Sequence, residues 1–302
     1  MTFEYTLRKL KNAFLAVVIA LRQGYVWKSP FAFGATQKPK AIYDFKPEKP
    51  DDFESGFEPL AFAIHIHYPD QVDKFINYIL KHASECHFYI TVNQDGTFRK
   101  IESALKNTGV TYTLRITPNI GRNFAPFLVE FRNELLKYSG FVHVHSKKSA
   151  HSKTGFGEAW AERSLALLLD PSNERKLRHL IQNQPEVGLV FAEARDLFRR
   201  INFYWGASAY PLLRSPKLKF LASRLDRRSE LLFPIGGMFW ARTEAVMELL
   251  QVNWEYNDFP TENGQLDGQL QHSLERAFGE VAINAGFRLA IFDQNRQRFE
   301  IY

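Results

Sequence analysis

The sequence predicts an α/β fold: a doubly wound, mostly parallel sheet flanked by helices, preceded by an N-terminal helical extension. Three observations predict it. From about Leu60 onward, apolar β-branched runs alternate with segments of helical period. The runs end in Pro, Gly, Asn or Asp, the residues that turn a strand into a loop. The chain has 302 residues and is 45% hydrophobic, enough to cover both faces of a parallel sheet.

The first 59 residues stand apart. An apolar run at 13–21 is flanked by Arg8, Lys9, Lys11, Arg22 and Lys28. It has about half of the ~20 residues that a spanning helix needs. No small-x-small cleavage site follows it, which argues against a signal peptide. Two readings fit: an amphipathic helix on an anionic leaflet, with Tyr5, Phe14, Tyr25 and Trp27 at the interface, or a helix docked on the domain. Residues 37–59 are rich in Pro, Lys, Asp and Glu without a period, as in a linker or surface wrap. The division is therefore 1–59, extension and linker, and 60–302, globular domain.

Within the domain the first strand is 60–68, ending at Pro69 and Asp70, with a helix from Val72. A second strand, 87–92, precedes a helix at 98–107. A third, 112–117, runs into the turn 118–123 and a helix at 125–137, with Pro126 tolerated in its first turn. The fourth strand, 141–145, breaks into Ser146, Lys147, Lys148 and Ser149. Helices at 158–169 and 173–183 lead to a strand at 187–192. Residues 195–228 read as irregular, basic and aromatic. A strand at 233–242 contains a glycine pair. Helices at 243–250 and 266–278 and a strand at 287–292 complete the series.

Composition narrows the function. The formal charge of +6 favours anionic ligands or an anionic membrane surface. Zinc-finger spacing, an RNA-binding aromatic signature and a basic reading helix are all missing, which argues against nucleic acid. The single cysteine, Cys86, precludes an internal disulfide and fits a reducing compartment. Its place before an apolar strand suits a buried structural thiol.

Four stretches carry candidate chemistry. Loops after the carboxyl ends of parallel strands hold the ligand in an open sheet. His145, Lys147 and Lys148 lie in such a loop and suit an anion such as a diphosphate; a solvated turn is the alternative. The first and fourth strands each carry two histidines two residues apart, on one face: His65 and His67, His143 and His145. With these strands adjacent, His67 and His145 are expected side by side at the crevice as ligand contacts, and His65 and His143 as core residues. Four imidazoles suggest a metal, but no carboxylate accompanies them and the lysines repel a cation, so no metal ligands are assigned. In the turn Asn119, Ile120, Gly121, Arg122 and Asn123, Gly121 permits close backbone approach and Arg122 offers a donor fork; a plain turn is the alternative. Gly236 and Gly237 sit in an apolar strand with Phe239 and Trp240, as for an approaching sugar ring or a bulge. Glu262 and Asp267 precede a helix, as caps or as a general base.

The motifs AIHIHYPD, PNIGRNFAPFL, HVHSKKS, GGMFWAR and DGQLQHSLERAFG, in this order, resemble the rhamnan synthesis F family of bacterial polysaccharide glycosyltransferases. The resemblance covers residue 60 to the end. It implies a GT-A-like fold, a nucleotide-sugar donor (dTDP-, UDP- or GDP-linked, with rhamnose one candidate sugar) and a growing glycan or lipid-linked acceptor. That would place the chain in O-antigen, capsule or rhamnan assembly, in the cytoplasm or peripherally on the inner face of the plasma membrane.

On this reading Tyr68 and Asp95 face the nucleotide base. His67, Asn119, Gly121, Arg122, Asn123, His145, Lys147 and Lys148 hold the donor. Gly236, Gly237, Phe239 and Trp240 hold the acceptor. Asp267, with Glu262 as second choice, is the base. Two departures stand out. Asn123 replaces the usual Asp, and His145-Ser146-Lys147 stands where many GT-A enzymes carry a metal-binding Asp-x-Asp. Lys147 with Lys148 or Arg122 would then neutralise the leaving diphosphate with no cofactor, a divalent metal not being excluded. The alternatives are a non-catalytic scaffold of the same fold and a metal-dependent hydrolase using the four histidines.

Overall fold

The computed structural model describes residues 31–32, 37–44, 60–82, 86–148, 156–194, 202–203, 205, 208–225, 230–261 and 268–302. The expected helix at 5–28 and the carboxylates Glu262 and Asp267 lie outside these.

Two short strands open the described chain, β1 (Phe31–Ala32) and β2 (Ala41–Asp44). Then come β3 (Leu60–Ile66), α1 (Val72–Ile79), β4 (Cys86–Val92), α2 (Asp95–Leu105), β5 (Thr111–Ile116), α3 (Phe124–Glu130), α4 (Arg132–Leu135) and β6 (Gly140–His145). Helices α5 (Phe156–Leu169) and α6 (Pro171–Asn183) meet at Asp170, whose carboxylate accepts from the Ser172 backbone N–H at 2.9 Å. That cap, with Pro171 behind it, separates the two helices expected at 158–169 and 173–183. Next are β7 (Val187–Ala192), β8 (Asn202–Phe203), α7 (Ala209–Arg214), α8 (Lys219–Ala222), β9 (Phe239–Arg242) and α9 (Met247–Leu250). The chain closes with α10 (Leu270–Asn284), β10 (Arg288–Asp293) and β11 (Arg298–Ile301).

Nine strands form one mixed sheet in the order β2-β11-β10-β7-β9-β6-β3-β4-β5, and β1 pairs with β8 apart from it. Strands β3, β4, β5, β6, β7 and β10 run parallel, while β9 and β11 run against them. Both faces are covered. Phe62, Ile64, Val142, Val144 and Trp240 pack beneath α1, α2, α5 and α6. Ala61, Ala63, Phe141 and Phe239 pack beneath α3 and α10. The period-2 alternation of β3 and β6 therefore turns their histidines toward the α3 and α10 face. Among the described residues no helix is long and apolar enough to cross a membrane.

The expected β3–β6 adjacency is present, but four details differ from the sequence reading. The charged stretch 37–59 is not linker throughout, because Ala41–Asp44 forms the edge strand on β11. The glycine pair lies in a turn ahead of β9, which starts only at Phe239. Residues 195–228 are not irregular throughout. The described part holds α7 and α8 and buries Trp205, Leu212, Leu218 and Leu221 against α10's core. Finally, the β3–β6 register sets His65, not His67, opposite His145.

Candidate functional site

The carboxyl ends of β6, β3 and β4 lie side by side, where an open parallel sheet keeps its ligand crevice, and the residues gathered there explain one another. Gly236 and Gly237 turn with φ of +84° and +78°, a left-handed backbone that suits glycine. This turn is held from three sides. Glu275 of α10 accepts the Gly236 N–H. His145 Nε2 lies 2.7 Å from the Gly236 carbonyl, and His143 Nδ1 lies 2.6 Å from that of Gly237. Carbonyls only accept, so both rings donate here. The histidines of β6 and the glycines before β9 are thus one unit.

Trp160 covers the turn. A Cβ on Gly236 would lie 1.6 Å from the Trp160 Cη2. On the same ring system sits the Lys147 ammonium, 3.9 Å from the ring centroid, a cation–π contact. The Lys147 backbone is fixed on both sides by Gln71, which accepts its N–H at 3.1 Å and donates to its carbonyl at 2.8 Å. Burial pushes the ammonium down to about 8; Glu275 partly offsets this and Arg122 adds to it. Arg122, at φ +54°, also places an Nη1 donor 2.9 Å from His272 Nε2.

His65, His143 and His145 are neutral at physiological pH. His65 and His143 are lowered to about 3 and His145 to about 4. Burial is the largest cause for each. Next come His145 for His65 and His143, and Lys147 for His145. The linkage has a definite sign. An unfolded imidazole takes up a proton near 6.5, whereas these three resist until about 3 or 4. Stability is therefore full above about pH 6.5 and falls as pH drops from there toward 4. The urea midpoint should decline steeply over that window. His143→Gln should remove about one proton's worth of slope, about 1.4 kcal/mol per pH unit. An identical slope in the variant would mean that His143 is protonated in the native state.

The remaining expected residues are placed as follows. His67 is half-buried, and its Nδ1 lies 2.8 Å from Asn93 Oδ1. The Asn93 amide nitrogen donates to the Thr117 carbonyl at 3.1 Å, so Oδ1 accepts and His67 Nδ1 donates. Ser146 Oγ accepts the His67 and Tyr68 N–H groups at 2.8 and 3.1 Å. Tyr68 is half-buried, with the Lys148 ammonium 5.4 Å from its ring. Lys148 itself pairs with Asp70 at 2.6 Å on the exposed side. Asp95 is exposed at the start of α2, paired with Arg99 at 2.7 Å, and Asn119 is exposed. Gly121 has φ +67°, and a Cβ there would lie 2.5 Å from that of Ala125. Asn123 is buried, and its Nδ2 has no hydrogen-bond partner among the described residues.

One expectation changes. Phe239 and Trp240, 0% and 2% exposed, lie in the two opposite core layers rather than on the crevice wall, because consecutive strand residues face opposite ways. His145 turns both ring nitrogens to backbone carbonyls, those of Gly236 and Ser146, while His65, His67 and His143 each engage one, on Thr91, Asn93 and Gly237. Sequence reasoning missed Trp160 and Glu275. Each sits on a helix that reads as ordinary amphipathic pattern, and each meets the crevice only through long-range folding.

The geometry is thus a cationic crevice, with Lys147 and Arg122 near a neutral His145 and one half-buried carboxylate, Glu275. The model of a family described as rhamnan synthesis protein F matches residues 46–287. The chain belongs to the rhamnan synthesis protein F family. It is also 28% identical over 279 residues to the uncharacterized protein WxcX from two strains of Xanthomonas campestris pv. campestris. The match covers 90% of this chain but 37% of each relative. All five motifs named above begin within the matched rhamnan synthesis F region.

Proposed function

We propose that the chain is a GT-A-like glycosyltransferase that moves a sugar from a nucleotide-sugar donor to a growing cell-surface polysaccharide or lipid-linked glycan. The observation that carries this reading is the convergence of Lys147 and Arg122 beside His145 at the carboxyl end of β6. Two cations in a largely dehydrated crevice suit a diphosphate leaving group. Family membership supports polysaccharide synthesis as the setting.

In the reaction, a base takes the proton of an acceptor hydroxyl and the oxygen bonds to the anomeric carbon. The bond from that carbon to the diphosphate breaks, and the nucleoside diphosphate leaves with the electron pair. Lys147 and Arg122 neutralise the charge it gains, and a divalent ion is not required. Asp267, or else Glu262, is the base. Support comes from the described flanks of that segment: Thr261 bridges to Ile120, and the α10 cap residue His272 meets Arg122. The nucleotide base lies toward Tyr68, His67 and the end of β4. The acceptor lies against the Gly236–Gly237 turn. An anionic membrane surface is the setting for a lipid-linked acceptor.

One observation favours a second reading. Asn123, not a carboxylate, is buried at the crevice, which suits a non-catalytic scaffold of the same fold. A thermal-shift screen of dTDP-, UDP- and GDP-sugars, followed by turnover assays in excess chelator, separates the readings. Saturable donor stabilisation with turnover in chelator is expected. Turnover abolished by chelator would overturn metal independence. Failure of every donor to bind would favour the scaffold.

A further inference from the structure

A second cluster lies at the opposite end of the strands. His82, Cys86 and Glu174 bring one ring nitrogen, the sulfur and one carboxylate oxygen within 4.8 Å of one another. Cys86 opens β4, whose carboxyl end borders the crevice. Seven strand residues at ~3.3 Å each separate the two places by about 20 Å.

The hydrogen bonds define the cluster's chemistry. His82 Nε2 lies 2.9 Å from the Leu169 carbonyl, which can only accept, so Nε2 carries a proton. The other ring nitrogen, Nδ1, faces Glu174 Oε2 at 2.7 Å. Nitrogen and carboxylate oxygen at that separation share a proton, which a metal ion bound by both atoms would displace as the pair opens. The ring is locked in place, with its centroid 4.9 Å from Phe62's and 5.8 Å from Phe88's. Arg178 Nε binds the other carboxylate oxygen, Oε1, at 2.7 Å, which leaves Oε2 directed at His82. The Arg178 guanidinium also lies 3.8 Å from the Cys86 sulfur, and a neighbouring cation favours the thiolate.

We propose that His82 Nδ1, Cys86 Sγ and Glu174 Oε2 form a binding site for a thiophilic divalent cation of the Zn²⁺ type. The N, S, O donor set matches zinc. The Leu169 carbonyl behind the histidine and Arg178 behind the carboxylate are the outer-shell partners that orient such ligands. On binding, nitrogen, sulfur and oxygen each donate an electron pair to the ion, and the thiol proton and any Nδ1 proton pass to solvent. The ion ties the start of β4 to α6 and the turn that follows α1, and takes no part in chemistry at the crevice. The proposal is independent of the glycosyltransferase reading.

The test uses the full chain, tag-free and stripped of metal, with Zn²⁺ alone as titrant against a chromophoric chelator. One ion per chain is expected, with a rise in melting temperature. Cys86→Ser and Glu174→Gln should each weaken binding by about tenfold to a hundredfold. Co²⁺ should give a thiolate-to-metal charge-transfer band that Cys86→Ser abolishes. Binding at full strength in both variants, or a cobalt spectrum of the wild-type chain without that band, would overturn the site. The wild-type cobalt spectrum decides the matter even where a variant fails to fold.

Discussion

On the proposed function, Lys147→Ala is expected to lower affinity for the nucleotide-sugar donor by about a hundredfold while the fold persists. The magnitude follows from removing a charge-assisted hydrogen bond to the diphosphate. An ionic hydrogen bond contributes ~1.5–3 kcal/mol, and ~1.4 kcal/mol is tenfold. The fold persists because Gln71 holds the Lys147 backbone, not its side chain. Removing a poorly solvated ammonium also offsets the missing cation–π attraction to Trp160. Lys148→Ala is the control. Its ammonium is exposed and paired with Asp70, so the expected loss is below about tenfold. Isothermal titration of both variants decides, and equal losses would remove Lys147 from the donor site. Because its ammonium titrates near 8, donor affinity of the wild-type chain should also weaken as pH rises past that value.

Gly236→Ala is expected to be the most damaging single-methyl change at the crevice. The added carbon would fall 1.6 Å from Trp160 Cη2, so the indole or the turn must move. The backbone at φ +84° adds strain for any other residue. Overpacking costs ~1–3 kcal/mol and the left-handed conformation about 1 more, so a loss of about 3 kcal/mol in urea denaturation is expected. Displaced Trp160 also releases Lys147, so donor binding falls with stability. In a double-mutant cycle, Gly236→Ala should cost less in a Trp160→Ala background than in the wild-type chain, by most of the overpacking part and none of the strain. An equal cost in both backgrounds would show that the indole is not the obstacle.

Much of the architecture is legible in the sequence because buried parallel strands are continuous apolar runs. β3, β4, β6 and β7 announce themselves that way. The two histidine pairs, together with the lysine after β6, mark the strand ends that form the crevice. Edges are harder. β2 and β11 are four residues each, too short for a distinct apolar run, and β11 interrupts its apolar residues with Arg298 and Glu300, so their pairing is dictated by each other rather than by local pattern. Register is equally hidden. A histidine two residues along keeps its face, so the pattern permits either His65 or His67 beside His145. Only the ladder selects His65. Trp160 and Glu275 acquire their roles from contacts across the chain that no local window contains.

The turn at Gly236 and Gly237 is fastened by partners 91, 94 and 39 residues away in the chain. Closures of this range tie together parts of the chain that no local contact joins. The crevice is therefore complete only when β6, the turn before β9 and α10 are all in place. Any fluctuation that lifts α10 removes Glu275 from the turn and dismantles the crevice without unfolding the sheet. Ligand binding then reports on a complete native chain, and a ligand that engages the turn slows the departure of α10.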